Sequence, residues 1–186
     1  MGRYFIAVVP KGVTANPELK QLLGKLKRTG SEREMEIRWM PPDLWHVTVQ
    51  FLGELGAEKR DHLLKTVEAW QPQVSELEIR LQGLGGFPAV DQARVLWLGV
   101  QDNQEFKNLQ EHLAVHLKTA GFQIEERDFW PHLTLARLRN PQSLTDMVSL
   151  GGRKKFGSYK VEELIVFESV LQGNIIKYVP QFRKTL

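Results

Sequence analysis

The sequence contains no cysteine. That excludes thiol nucleophiles, disulfides and thiolate metal sites together, and it fits a cytoplasmic protein, the expected location. No apolar run approaches the roughly 18 residues that a membrane-spanning helix needs, so no membrane association is expected. The opening MGRYFIAVVPKG has a short apolar run that stops at Pro10-Lys11, and it reads as a first strand rather than a signal peptide. Position 6 is Ile where a myristoylation motif needs Ser or Thr. Charge of one sign is also scarce. The net charge is +3 and the pI about 9.2, which permits an anionic substrate but is too weak for a long nucleic-acid footprint. No linker interrupts the 186 residues, and 42% apolar with 25% charged residues is the balance of a soluble globular chain.

What is present is an alternation of strands and helices. RYFIAVV (3–9) is rich in strand formers. Asn16 is a plausible cap for a helix with Pro17 at its first position and Gly30 as its stop. A short strand is expected near 36–39, before Pro41-Pro42. AEKRDHLLKTVEAW (57–70) reads as a helix with Leu63, Leu64, Val67 and Trp70 on one side. SELEIRLQGL (75–84) alternates, so one face of that strand is wet. RVLWLGV (94–100) is another strand. The longest helix is expected from about Gln104 to Ala120, ended by Gly121. ELIVFESVL and IIKYVPQF close the chain as strands joined at Gly173-Asn174, a hairpin signal. GLGGFP (83–88) reads as a turn, because it follows no βαβ pattern and is too interrupted for a dinucleotide loop. Arg153-Lys154-Lys155 reads as a solvated loop.

Two segments stand out. WHVTVQFLG (45–53) and WPHLTLARL (130–138) each carry His-x-Thr, at His46/Thr48 and His132/Thr134, and the copies lie 86 residues apart, near half the chain. Each follows a strand and a helix. That pattern suggests an internal duplication with two α+β lobes related by a pseudo-twofold, and it has too few copies for a solenoid. Alternate residues of a strand share a face. His46, Thr48 and Gln50 therefore fall on one side, with Trp45, Val47, Val49 and Phe51 toward the core. His132 and Thr134 likewise oppose Leu133 and Leu135. If the lobes face each other, two imidazoles and two hydroxyls converge on one cleft.

Those groups suit one kind of chemistry. A neutral imidazole with a pKa of about 6.5 is a competent base, and its protonated partner a competent acid. On opposite sides of a phosphorus they can deprotonate a water and protonate the leaving oxygen, each role worth roughly 10²–10⁴-fold. Threonine hydroxyls can donate to the non-bridging oxygens, where charge concentrates. A strained cyclic phosphodiester fits, since its ring opening does not demand a metal.

HVTVQFLGE and WPHLTLARL, with Phe51-Leu52-Gly53 after the first motif and Pro131 and Arg137 flanking the second, resemble the paired motifs of the 2H phosphoesterase superfamily. The similarity is greatest to the RNA 2′,3′-cyclic phosphodiesterases, also called 2′-5′ RNA ligases. The resemblance implies an α+β fold: one bilobal domain over 1–186, with motifs at 46–49 and 132–135. Each lobe would be a mainly antiparallel sheet with helices outside, around a central cleft. It implies metal-independent hydrolysis of an RNA or nucleotide 2′,3′-cyclic phosphate to a 2′-phosphate, without cofactor. His46 would be the proton donor, His132 the proton acceptor, and Thr48 and Thr134 the phosphate ligands. Symmetry alone does not assign donor and acceptor. The family also places an arginine at Arg137 as a phosphate or nucleotide contact, although strand parity turns it away from His132. The reverse transesterification would join tRNA halves through a 2′-5′ bond, and a monomer is expected.

The remaining histidines have plainer readings. His62 sits among charged helix residues and should be exposed. His112 and His116 are spaced as metal ligands can be, but EHLAVHL lacks the metalloprotease signature and the pair borders a Phe106, Leu109, Leu113, Leu117 stripe. Phe129 and Trp130 could stack a base or close the core. The rival functions are a non-catalytic RNA-binding module and a metal-dependent hydrolase built on His112 and His116.

Overall fold

Two asparagines start the two long helices in the same way. Asn16 Oδ1 accepts from the Leu19 amide at 2.9 Å, and Asn103 Oδ1 accepts from the Phe106 amide at 3.1 Å. Each satisfies a donor that the first helical turn leaves orphaned. A computed structural model describes residues 2–74, 76–101, 103–124, 128–173 and 175–186, the side chain at 175 excepted. Its elements run β1 (Gly2–Val8), α1 (Pro17–Glu32), β2 (Ile37–Trp39), β3 (Val47–Leu55), α2 (Ala57–Ala69) and β4 (Leu77–Phe87), then β5 (Ala93–Val100) and α3 (Gln104–Thr119). They continue with β6 (His132–Gln142), α4 (Thr145–Gly151), β7 (Lys155–Val161), β8 (Glu163–Gln172) and β9 (Ile175–Thr185). Ser75 and Asn174, which the sequence reading places at a strand start and in a turn, lie outside the described residues. No helix among the described residues is long and apolar enough to cross a membrane.

The strands form one antiparallel sheet in the order β7-β4-β5-β6-β3-β1-β8-β9, with β2 paired to β6. Read outward from the centre, β3-β1-β8-β9 mirrors β6-β5-β4-β7. These are the two pseudo-symmetric lobes expected from the duplicated motif. They meet at a narrow seam, where β3 and β6 pair through Val47 and Leu133. Helices cover the outer face. α4 packs on α1 and β4, while α2 packs on β3, β9 and α3. Asn16 Nδ2 donates to the Phe156 carbonyl at 2.9 Å and to Tyr159 Oη at 2.7 Å, which ties α1 to β7. Helix α1, which follows β1 of one lobe, is thus anchored on the other.

Between sheet and helices lies the core. Ile6, Leu26, Leu63, Leu98, Leu113 and Leu133 are each fully buried, and such side chains contribute about 1.5–3 kcal/mol apiece. The α3 stripe of Phe106, Leu109, Leu113 and Leu117 is buried as its spacing requires. On the opposite face of the same strands, Phe5, Ala7, Ile165 and Phe167 form a second, smaller apolar cluster, the floor of the concave side.

Two local expectations are corrected. Gly30 does not stop α1, which continues to Glu32. A Cβ there would sit 2.8 Å from Ile37 Cδ1 and 3.2 Å from Met147 Cε, so the glycine serves close packing within the helix. Residues 83–87 are not a turn but the end of β4. Gly83, at φ 72°, sits where the pairing with β5 shifts register, and the bare backbone of Gly85 receives the Trp97 indole. The basic run 153–155 is exposed as expected, although Lys155 already begins β7 and Lys154 pairs with Glu18 at 3.8 Å.

Candidate active site

The concave face holds a cleft of about 1110 Å³ whose lining includes His46, Thr48, His132, Thr134, Arg137 and Tyr178. All five residues singled out from the sequence are brought together there. The two imidazoles are held identically. His46 Nδ1 donates to the Leu44 carbonyl at 2.7 Å, and His132 Nδ1 donates to the Trp130 carbonyl at 2.7 Å. A carbonyl only accepts, so the proton of each neutral ring is fixed on Nδ1 and Nε2 carries the lone pair. Neither Nε2 has a hydrogen-bond partner among the described residues.

Aromatic rings close around both. His46 lies 5.0 Å from the rings of Phe5 and Tyr178, and His132 lies 4.9 Å from Phe87 and 6.1 Å from Trp97. Burial among them pushes the His46 pKa down to about 4 against the opposing bond to Leu44, and the neighbouring His132 and Arg137 lower it further. Burial also lowers His132, opposed by the bond to Trp130 and assisted by Arg137. At neutral pH both rings are therefore uncharged, and an arriving anion is the change that favours protonation.

Arg137 reaches the cleft because β6 is bulged. Trp97 pairs with Thr134 but Leu96 pairs with Ala136, so Leu135 is an extra residue and parity reverses after it. Leu135, Ala136 and Leu138 are buried while Arg137 is exposed on the cleft side. The same device operates in the other lobe. Ala7 pairs with Thr48 and Ile6 with Gln50, leaving Val49 as the extra residue. This corrects the simple alternation. Gln50 is buried, at 7% exposure, and Phe51 faces solvent, at 58%. The bulged positions, Val49 and Leu135, are again 86 residues apart, as are Phe51 and Arg137, so the duplication extends to the irregularity.

The flanking aromatics separate. Phe129 packs edge-on against Phe106 at 5.4 Å, whereas Trp130 is 67% exposed. A second cavity of about 390 Å³ opens on Thr48 and His132 between Phe51, Phe87, Phe129 and Trp130. Sequence reasoning missed Phe5, on the strand paired to β3, and Tyr178, on β9 at the edge of the sheet, neither of which carries a local motif. The other histidines join helices. His112 Nδ1 accepts from Trp70 Nε1 at 3.2 Å, His116 Nε2 donates to the Thr66 carbonyl at 3.0 Å, and exposed His62 donates to the Ala120 carbonyl at 2.9 Å.

Comparison with known proteins identifies the family and the fold. The family model described as the 2'-5' RNA ligase superfamily matches residues 15–169. An RNA 2',3'-cyclic phosphodiesterase of Archaeoglobus fulgidus is 30% identical over 94% of this chain and 96% of its own. One of Methanothermobacter thermautotrophicus is 29% identical over 82% of this chain and 84% of its own. Among solved structures, a protein of Thermus thermophilus superposes with TM-score 0.77 at 24% identity over 99% of this chain and 97% of that one. E. coli LigT complexed with 3'-AMP superposes with TM-score 0.68 at 23% identity over 100% and 98%. At that identity the structural likenesses speak to the fold.

Proposed function

Because the chain belongs to the 2'-5' RNA ligase superfamily, we propose that it hydrolyses a terminal RNA 2′,3′-cyclic phosphate to a 2′-phosphate. The observation that carries this reading is the matched pair of imidazoles, each anchored through Nδ1 with Nε2 left unpaired in one cleft with two threonine hydroxyls. His132 Nε2 takes a proton from water as the new P–O bond forms. The bond from phosphorus to O3′ breaks, and protonated His46 gives its proton to that oxygen. Thr48, Thr134 and Arg137 offset the charge on the non-bridging oxygens. The donor and acceptor labels follow the family resemblance.

Ligation is the same chemistry with a ribose hydroxyl in place of water. The cavity beside His132 favours it, since its aromatic walls and volume can seat a second nucleoside on the side from which the nucleophile arrives. A metal site at His112 and His116 is disfavoured because Trp70 Nε1 donates to His112 Nδ1, which occupies the one lone pair that the neutral His112 ring could offer a metal.

The test is the product formed from 2′,3′-cyclic AMP by purified protein in the presence of EDTA. The expected product is 2′-AMP. Mainly 3′-AMP would overturn the orientation and the histidine labels, and loss of turnover restored by zinc would overturn the metal-independent mechanism.

A further inference from the structure

Arg38 and Arg137 stand directly opposite each other on β2 and β6. Direct partners in an antiparallel pair project to the same face, with Cβ atoms roughly 4.5–5.5 Å apart. The flanking pairs, Ile37 with Leu138 and Trp39 with Ala136, turn to the core. Arg137 lines the cleft, so Arg38 is carried to the cleft side as well. Like charges placed directly opposite destabilise a sheet unless something neutralises them. Nearby arginines have carboxylates for that purpose: Arg139 has Glu36 at 3.8 Å, Arg33 has Asp146 at 3.3 Å and Arg3 has Glu54 at 3.3 Å. Among the described residues neither Arg38 nor Arg137 has one. The arrangement is that of a site completed by an external anion.

Its place relative to the histidines is defined. The ring of Tyr178 meets His46 edge-on at 5.0 Å, and the phenol lies within the electrostatic reach of both guanidiniums. β2 lies along the same edge of β6 as β3, the strand after His46, and Arg38 is exposed outside the cleft lining that includes Arg137. Arg38 is therefore the outer member of the pair, on the His46 side. We propose that Arg38 binds the internucleotide phosphate on the 5′ side of the terminal nucleotide, so that the site selects an RNA end over a mononucleotide. This rests on the function proposed above, which puts the ribose bearing the leaving O3′ beside His46. The same ribose carries the chain through its 5′ carbon, so the next phosphate leaves the cleft on that side. A guanidinium fork matches two phosphate oxygens, and two arginines side by side take two successive phosphates.

The experiment compares wild type and Arg38→Gln on 2′,3′-cyclic AMP and on the dinucleotide ApA ending in a 2′,3′-cyclic phosphate. The readout is the ratio of kcat/KM for dinucleotide over mononucleotide. It is expected to fall about tenfold in the variant, as loss of a charge-assisted bond requires. The salt dependence of the dinucleotide reaction should also flatten by roughly 0.7 in its logarithmic slope. A ratio unchanged by the substitution, whether both activities fall together or neither falls, overturns the proposal. Affinity for the corresponding 2′-phosphate products reads the same contact without turnover. A wild-type protein that hydrolyses neither substrate would defeat the proposed function, while the affinity ratio would still decide for or against Arg38.

Discussion

Each motif histidine is held by a carbonyl two residues upstream, and that short tether governs what the side chain can do. With Nδ1 committed, proton exchange is confined to Nε2. His46→Ala and His132→Ala should each remove most turnover of a cyclic phosphate while the melting temperature changes little, since neither ring fills the main core; near-wild-type kcat in either variant would end the two-histidine mechanism. Thr48→Val and Thr134→Val keep side-chain shape and delete a donor, so each should cost about 10²-fold in kcat/KM. The Thr→Ser variants should retain far more, and equal activity of Val and Ser variants would place the hydroxyl away from the phosphate. Burial of His46 also has a stability signature. Its folded pKa of about 4 lies below the unfolded value of about 6.5, so the unfolded chain binds the extra proton first on acidification. Its contribution is whole above pH 6.5 and declines toward pH 4. Urea midpoints across that window should fall more steeply for wild type than for His46→Ala.

At the level of elements, the bulge is what turns a cation into the cleft that holds both histidines. One extra residue, Leu135, turns Arg137 to the face that His132 and Thr134 already occupy, and Val49 does the same for Phe51. Residue alternation in the sequence located the four motif side chains, because they precede the irregularity. It misassigned Gln50, Phe51 and Arg137, because a bulge depends on the partner strand and leaves no local mark. The long helices were legible from their caps and apolar spacing. β7 was not, since KFGSYKV has a glycine in its middle and little apolar content, and its pairing with β4 draws on residues far away in sequence. Residues 83–87 were misread for a related reason: glycines that look like a turn are there to admit Trp97. Gly85→Ala would drive a methyl group into that indole, and overpacking of this kind costs about 1–3 kcal/mol. A lower denaturation midpoint is expected, together with reduced kcat/KM, because the same indole flanks His132; a variant of unchanged stability would show that the ring moves aside freely.

Over the whole molecule, the proposed mechanism takes one imidazole from each lobe as an acid–base pair whose titration belongs to both rings jointly. Both pKa values are lowered in the free protein, so the bell of kcat/KM should lie on the acid side of 6.5. A bound phosphate favours the protonated imidazole, so the bell of kcat should lie at higher pH. Arg137→Gln removes a positive neighbour of both rings and should move the kcat/KM limbs upward in pH. Coincident bells, or limbs that stay in place in the variant, would separate the titration from these groups. The seam at Val47 and Leu133 bears on how such a pair survives motion. Each of those residues directly follows a motif histidine in the chain. If the lobes rock about the seam, the axle lies one residue from both imidazoles, and displacement grows with distance from an axle. The far rims can then swing wide while the gap between the two imidazoles scarcely changes. The narrowest join in the sheet is thus the point at which the spacing of the two imidazoles is least disturbed by opening.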